Sequence, residues 1–371
     1  MTHSMHYSRW AWLIGLLSLS FGVIYAQHSA TPQRVTVAFY NLENLFDTIN
    51  QENNDEEFLP EGANRWTPER YQHKLRNMSH VISLIGGNGP AIIGVAEIEN
   101  RGVLEDLIAQ ESLRDKHYNI VHYDSPDLRG IDCAILYQPD VYKVFASGAR
   151  AVVIPNEPWI KTRDVVYASG LIDGEIVHVL VGHWPSRSGG EAVSLNRRMA
   201  AAKTMRSVAD SLYTLFPGSK VIMMGDFNDD PISPSVRDGL GIQKSPDGLK
   251  ASDYYTPMLQ LYNKGLGTLA YRDVWNLFDI IAVNGELIGS NPTTWQLYRD
   301  PETTDMGFIF KQPFMIQQEW PVQGLHTPHF RRRAVARRLL RPLPRICLPR
   351  QGGGSEVAPH LCRNRPYVVS S

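Results

Sequence analysis

Between residues 34 and 283 short apolar runs alternate with amphipathic stretches, and polar clusters sit where the runs stop. Residues 34–40 alternate as a strand does and hand over to Asn41, which the pattern places at a strand end facing a cleft. A polar stretch, 50–64, reads as a loop. Residues 67–85 carry helical spacing, with Pro68 suited to the first turn and Tyr71, Leu75, Met78, Ile82 and Ile85 on one face; the turn residues of 86–90 stop it. Residues 91–96 form a continuous apolar run bounded by turns, the signature of a strand buried on both faces, and it delivers Glu97. The same pattern recurs at 133–137, 177–181 and 220–224. The last two runs meet Gly182-His183 and Gly225-Asp226-Phe227-Asn228 at once. An amphipathic helix is expected over 194–215 and one further strand over 273–283. This alternation predicts an α/β fold, a layered sandwich with polar residues gathered at one edge of the sheets. No internal repeat and no second domain are visible.

The N-terminus changes the picture first. An apolar run over 12–25 follows His and Arg residues and closes on Ala26 before Gln27, which reads as a secretory signal peptide over 1–26; an uncleaved anchor is the alternative. No Cys follows the run, so no lipid anchor is expected. The expectation is a secreted or periplasmic protein, without stable membrane association after cleavage. With 371 residues and 43% hydrophobic content the chain has enough apolar material for one large core. A net charge of -1 excludes a protein that coats nucleic acid or anionic membrane by bulk electrostatics, so partners have to be read from the site. Of three cysteines only Cys133 lies in the body of the chain, where a buried small hydrophobe is expected.

Strands ending in Asn41, Glu97, His183, Asp226, Asn228 and Asp279 collect carboxylate, amide and imidazole groups at strand-to-loop junctions. Hard divalent cations such as Mg²⁺ take oxygen ligands from one or two carboxylates and keep positions for water and phosphate. There is no His and Cys cluster at zinc spacing and no phosphate-cradling glycine loop. Each residue also has a plainer reading: Asp226-Phe227-Asn228 as an Asx turn, Glu97 as a solvated carboxylate, His183 as loop packing beside Trp184-Pro185, and Arg129 with Asp132 as a structural ion pair.

Six segments together resemble the motifs of the endonuclease/exonuclease/phosphatase superfamily, with its deoxyribonuclease I-like fold. They are Phe39-Tyr40-Asn41-Leu42-Glu43-Asn44, Val95-Ala96-Glu97-Ile98-Glu99-Asn100, Arg129-Gly130-Ile131-Asp132, Gly182-His183-Trp184-Pro185-Ser186-Arg187, Gly225-Asp226-Phe227-Asn228-Asp229 and Trp275-Asn276-Leu277-Phe278-Asp279. The resemblance implies a four-layer α/β sandwich, two packed mixed sheets flanked by helices, over 27–318. It implies Glu97 as main metal ligand with Asn41 sharing the site, and Mg²⁺ as the ion, with Mn²⁺ or Ca²⁺ as alternatives. Asp226 would activate water or assist the leaving group, Asn228 would orient the phosphate, and His183 would donate to a phosphate oxygen. Asp279 would hold a further C-terminal histidine, and Arg129, Asp132 and Arg187 would contact phosphate or substrate. The implied protein is a monomeric phosphodiesterase acting on DNA or RNA. Phosphatases, sphingomyelinase-type phosphodiesterases and a non-catalytic remnant of such an enzyme are the alternatives.

The family ends on a glycine-rich turn, Ser-Asp-His and a closing strand, and the printed chain does not. From about Glu319 the composition changes: residues 331–365 hold ten Arg and no Lys. The plain readings are a disordered basic appendage or a nucleic-acid-binding arm. A third fits more of the tail. Written in codons and read one nucleotide later, residues 331–351 allow Ala-Gly-Gly-Gln-Trp-His-Gly-Gly-Tyr-Ser-Asp-His-Phe-Pro-Val-Tyr-Val-Tyr-Leu-Ala, with Ser-Asp-His falling across 340–343. The same frame permits a stop soon after Glu356. A frameshift near Glu319 is therefore expected, together with a family domain incomplete at its C-terminal end and an aberrant, disordered tail over 319–371 that forms no closing strand.

Overall fold

The computed structural model describes residues 34–315, apart from Glu52, Arg272, Asp273, Ser290 and Pro292, and residues 343–349. The segment 1–26, expected to be a signal peptide, and most of the Arg-rich tail lie outside the described residues.

Two six-stranded mixed sheets face each other. The first has strand order β13-β14-β1-β2-β4-β3, with β1 Arg34–Leu45, β2 Ile92–Ile98, β3 Asn119–His122, β4 Asp132–Tyr137, β13 Phe308–Phe310 and β14 Leu343–Pro349. The second has order β5-β6-β7-β8-β12-β9, with β5 Lys143–Arg150, β6 Val165–Ile172, β7 Glu175–His183, β8 Lys220–Asp226, β9 Tyr254–Tyr255 and β12 Asp279–Asn284. A separate ribbon pairs β10 Leu269–Tyr271 with β11 Val274–Asn276. The parallel pairs β1/β2 and β7/β8 need long crossovers, which α1 Pro68–Leu84 and α4 Glu191–Leu215 supply. The shorter helices are α2 Arg101–Ile108, α3 Glu111–Arg114 and α5 Met258–Asn263.

The central strands read as unbroken apolar runs because both faces are covered. Val37, Phe39, Ile92, Val179, Val181, Ile222, Met224 and Ile281 fill the space between the sheets. The alternate residues Ala38, Tyr40, Ile93 and Val95 pack outward on Leu75, Met78 and Ile82 of α1. On the far side Leu180, Val221, Met223 and Ile280 meet Ala201, Met205 and Val208 of α4. These are the four layers expected from the motifs. At Gly94 a Cβ would stand 2.7 Å from both Met224 Sδ and Val181 Cγ2, so the facing sheet packs directly onto the strand where that residue has no side chain. Cys133 is buried and free.

Three expectations need correction. The run over 273–283 is two strands, β11 and β12. The break at Leu277-Phe278 is held by bonds to the loop after β8, where Leu277 N–H donates to Asp230 Oδ1 (2.7 Å) and Phe227 N–H donates to the Phe278 carbonyl (2.8 Å). Strand β1 does not stop at Asn41 but runs on to Leu45 through a register shift. The tail, expected to form no closing strand, forms one at Leu343–Pro349, antiparallel to β1 on one side and β13 on the other. Backbone pairing needs no particular side chain, and the open edge of β1 accepts the strand that reaches it. The rest of the tail lies outside the described residues.

Candidate active site

Five of the expected residues, Asn41, Glu97, His183, Asp226 and Asp279, meet between the ends of the two sheets. Parallel pairing sets His183 opposite Asp226, and antiparallel pairing sets Asp279 opposite Asp226 from the other side. That close spacing depends on glycine: a Cβ on Gly225 would stand 1.9 Å from the Gly182 carbonyl oxygen. From the facing sheet, Asn41 Nδ2 donates to Glu97 Oε1 and to Asp226 Oδ2, both at 2.9 Å. Asn41 thus joins the Glu97 carboxylate of one sheet to the Asp226 carboxylate of the other. Its own oxygen accepts the Glu43 N–H at 2.8 Å, which fixes the orientation of the amide.

Glu97 occupies a β-bulge: the pairing of β2 with β4 shifts register between Ala96 and Ile98, and Glu97 has φ 59°. The left-handed conformation costs a non-glycine residue about 1–3 kcal/mol and turns its side chain into the cleft. Oε2 is held by the Asn44 N–H at 3.0 Å. Asn228 also stands at positive φ, 50°, where its N–H donates to Asp226 Oδ1 at 3.0 Å, while its side-chain Nδ2 donates to the Trp184 carbonyl at 2.9 Å. The Asx-turn reading of Asp226-Phe227-Asn228 describes this geometry.

His183 Nε2 lies 3.8 Å from Glu97 Oε1 and 4.0 Å from Asp226 Oδ2, and its Nδ1 has no partner among the described residues. Burial, helped by the Arg163 guanidinium, pushes this histidine down to about 4 against the pull of Asp226 and Glu97. The imidazole is neutral at neutral pH. Arg163 has no periodic or motif signal in the sequence, yet it is buried and donates to the carbonyls of His183 (3.1 Å) and Trp184 (2.8 Å) while pairing with Asp127 at 3.0 Å. The sequence reading missed it. It also passed over Lys74, buried behind Glu43 and Asn44 with its ammonium on both carbonyls; burial pushes it down to about 8.

The remaining expected residues divide. Arg129 is about half exposed, reaches Asp127 at 3.6 Å, and lies close enough to His183 to disfavour its charged form. The ion pair between Arg129 and Asp132 is replaced by others: Asp132 takes His122 Nε2 at 2.9 Å and the Ser125 N–H at 2.8 Å. Arg187, expected on phosphate, is held by the Asn228 carbonyl (2.9 Å), Asp229 (2.9 Å), Asp230 (3.3 Å) and Glu191 (3.1 Å), and lies 4.6 Å over Phe278. It braces the loop carrying Asn228. Behind it, Arg198 and Asp229 form a fully buried pair at 2.6 Å.

Ligand atoms of Glu97, His183 and Asp226 lie within 4.8 Å of one another. Two carboxylates beside a neutral imidazole suit a hard divalent cation such as the Mg²⁺ implied by the motifs; Asn41, expected to share the metal site, presents its Nδ2 to both carboxylates and its oxygen to the Glu43 N–H instead.

The chain belongs to the endonuclease/exonuclease/phosphatase family, whose model matches residues 36–334. Membership supports a hydrolase of phosphate esters, and enzymes of this family typically depend on a divalent metal. Among solved structures, truncated TDP2 from Caenorhabditis elegans is 14% identical, with 85% of this chain and 98% of that chain covered and a TM-score of 0.51. A second structure of TDP2 from C. elegans is 13% identical over 85% of this chain and 75% of that chain, at a TM-score of 0.50. An endonuclease/exonuclease/phosphatase from Bacteroides vulgatus is 13% identical over 86% and 100%, at a TM-score of 0.48. Identities this low speak for the fold alone. No curated protein matches the chain.

Proposed function

We propose that this protein is a secreted, monomeric, Mg²⁺-dependent phosphodiesterase that hydrolyses DNA or RNA. The observation that carries the reading is the bridge from Glu97 through Asn41 to Asp226, with His183 against both carboxylates. A bound divalent cation there supplies positive charge to phosphate oxygens. Asp226, oriented by Asn41 Nδ2 and the Asn228 N–H, takes the proton from the attacking water. The second hydrogen of the Asn228 amide and the neutral His183 ring remain for a non-bridging phosphate oxygen, on which charge builds as the bond to phosphorus forms. Arg129, at the exposed rim, adds a positive charge for the chain of the substrate.

Nucleic acid is preferred over inositol phosphates and phospholipids because His183-Trp184-Pro185-Ser186-Arg187-Ser188-Gly189-Gly190 resembles the loop of secreted bacterial nucleases. We also propose that the gene, or its reading, carries the frameshift described above, so that the chain as printed lacks the histidine expected to meet Asp279 and is of low activity. A plasmid-nicking and RNA-degradation assay with Mg²⁺, run on the printed chain and on one with the shifted-frame ending, tests both proposals. The expected outcome is cutting by the restored chain alone, abolished by Glu97→Gln. Release of phosphate or phosphocholine from other esters, with nucleic acid untouched, would overturn the substrate class.

A further inference from the structure

Beside His183 the rim of the cleft carries a tryptophan that packing does not account for. Strand β6 runs antiparallel to β7 with Val166 opposite Val181, so the chain before Val165 lies at the sheet end where β7 delivers His183. That chain makes a tight turn over residues 157–160, closed by the Ile160 N–H on the Glu157 carbonyl at 3.0 Å. Pro158 takes the second position, where its fixed φ suits the turn, and Trp159 takes the third, at the apex. The indole is 70% exposed. The turn beneath it is held at three points. Both oxygens of Glu157 accept from Arg197 on α4, at 2.9 and 2.6 Å; Ile160 packs against the core on that side of the sheet; and Arg163 is buried on the carbonyls of His183 and Trp184. Arg163 also pairs with Asp127 at 3.0 Å, which ties the turn to the loop that carries Arg129 and Leu128, the latter 66% exposed. Lys161 is exposed two residues from Trp159.

A large flat side chain in water, on a loop with little freedom, meets a partner at a small further cost in ordering. We propose that Trp159 is a stacking platform for an unpaired base and that, with Lys161 and Arg129 on the phosphates, it directs the enzyme to single-stranded nucleic acid. The inference rests on the nuclease reading and narrows its substrate class. Every base offers a π-face to an indole, so such a platform accepts any sequence, whereas in a duplex both faces are covered by neighbouring pairs. The exposed apolar residues are interleaved with charge, Asp127 and Arg129 around Leu128, Glu157 and Lys161 around Trp159. That pattern suits single bases between phosphates and not a contiguous apolar patch buried in lipid.

The test uses the full chain carrying Glu97→Gln in Mg²⁺, so that strands are bound without being cut. Fluorescence anisotropy follows three labelled ligands: a single strand of about twelve nucleotides, the same strand paired with its complement, and an abasic strand of the same length. Trp159→Ala is expected to weaken binding of the single strand about tenfold, and Trp159→Phe by much less. Both variants should bind the duplex and the abasic strand as the parent does, and the single strand should quench the tryptophan fluorescence of the parent more than that of Trp159→Ala. Unchanged single-strand binding in Trp159→Ala would overturn the platform; if the chain with the shifted-frame ending still nicks plasmid, the nuclease reading stands without it. An equal loss on the abasic strand also overturns it, since Trp159 would then shape the rim and not stack on a base. So does Trp159-dependent binding to phosphatidylserine vesicles with strands bound equally by parent and variant, which assigns the patch to a membrane. If no strand binds to parent or variant, platform and nuclease reading fall together.

Discussion

His178 shows at the level of one residue how a buried titratable group ties the fold to pH. It lies on β7, fully buried, with Nδ1 2.7 Å from the Ser169 hydroxyl on β6 and its ring against Phe216; its Nε2 has no partner among the described residues. Burial pushes it down to about 4. In the unfolded chain a histidine titrates near 6.5. Between those values the unfolded state binds the proton and the folded state does not, so stability falls as pH drops from 6.5 towards 4 and this contribution levels off below 4. His178→Gln removes the titration. Urea midpoints of the two proteins should agree within a small offset at pH 7.5 and draw apart at pH 4.5, with the variant losing less. Parallel curves over that range would assign the acid sensitivity to other groups.

At the scale of elements, the sequence showed the strands β1, β2, β4, β7 and β8 and the polar residues they deliver, because strands covered on both faces leave uninterrupted apolar runs and the motif residues follow them directly; it gave no sign of β3, β5 or β6. It did not show the bulge that turns Glu97 inward, since a register shift depends on the partner strand. Nor did it show that Arg187 is spent on Asp229 and Asp230, since those contacts join the loop after β7 to the loop after β8 through folding alone. The pairing of β7 with β8 is where element and site depend on each other most. Gly225→Ala puts a methyl group 1.9 Å from the Gly182 carbonyl oxygen, and backbone has to move to admit it. Spreading the strands displaces His183 from Asp226. The expected result is a loss of about 1–3 kcal/mol in stability with loss of metal affinity in the same variant. Gly174→Ala, at a turn with nothing within 4 Å, is the control for added volume, though its φ of 83° carries its own strain. A Gly225→Ala protein with unchanged Mg²⁺ binding would show that the site tolerates wider spacing.

For the whole molecule the question is what the strand Leu343–Pro349 contributes. It lies inside the first sheet between β1 and β13, and its last described pair with β1 is Arg345 opposite Ala38, so the chain enters the strand from the end of β1 that carries Asn41. An interior strand between covered faces favours alternating β-branched and aromatic residues. The printed Leu-Pro-Arg-Ile-Cys-Leu-Pro offers an arginine and two prolines instead. The shifted frame offers Phe-Pro-Val-Tyr-Val-Tyr-Leu over the same positions, and places Ser-Asp-His directly before it, on the side of the cleft. Replacing residues 331–351 by the shifted-frame sequence should therefore act twice: on stability, by raising the melting midpoint several degrees, and on catalysis, by adding a positioned imidazole worth about 10²–10⁴ in kcat. The two effects separate in the restored chain when its new histidine is changed to alanine, which should keep the midpoint and lose the rate. A restored chain that neither melts higher nor cuts faster would mean that the printed strand already does what the fold requires at that edge, and the frameshift reading would fail.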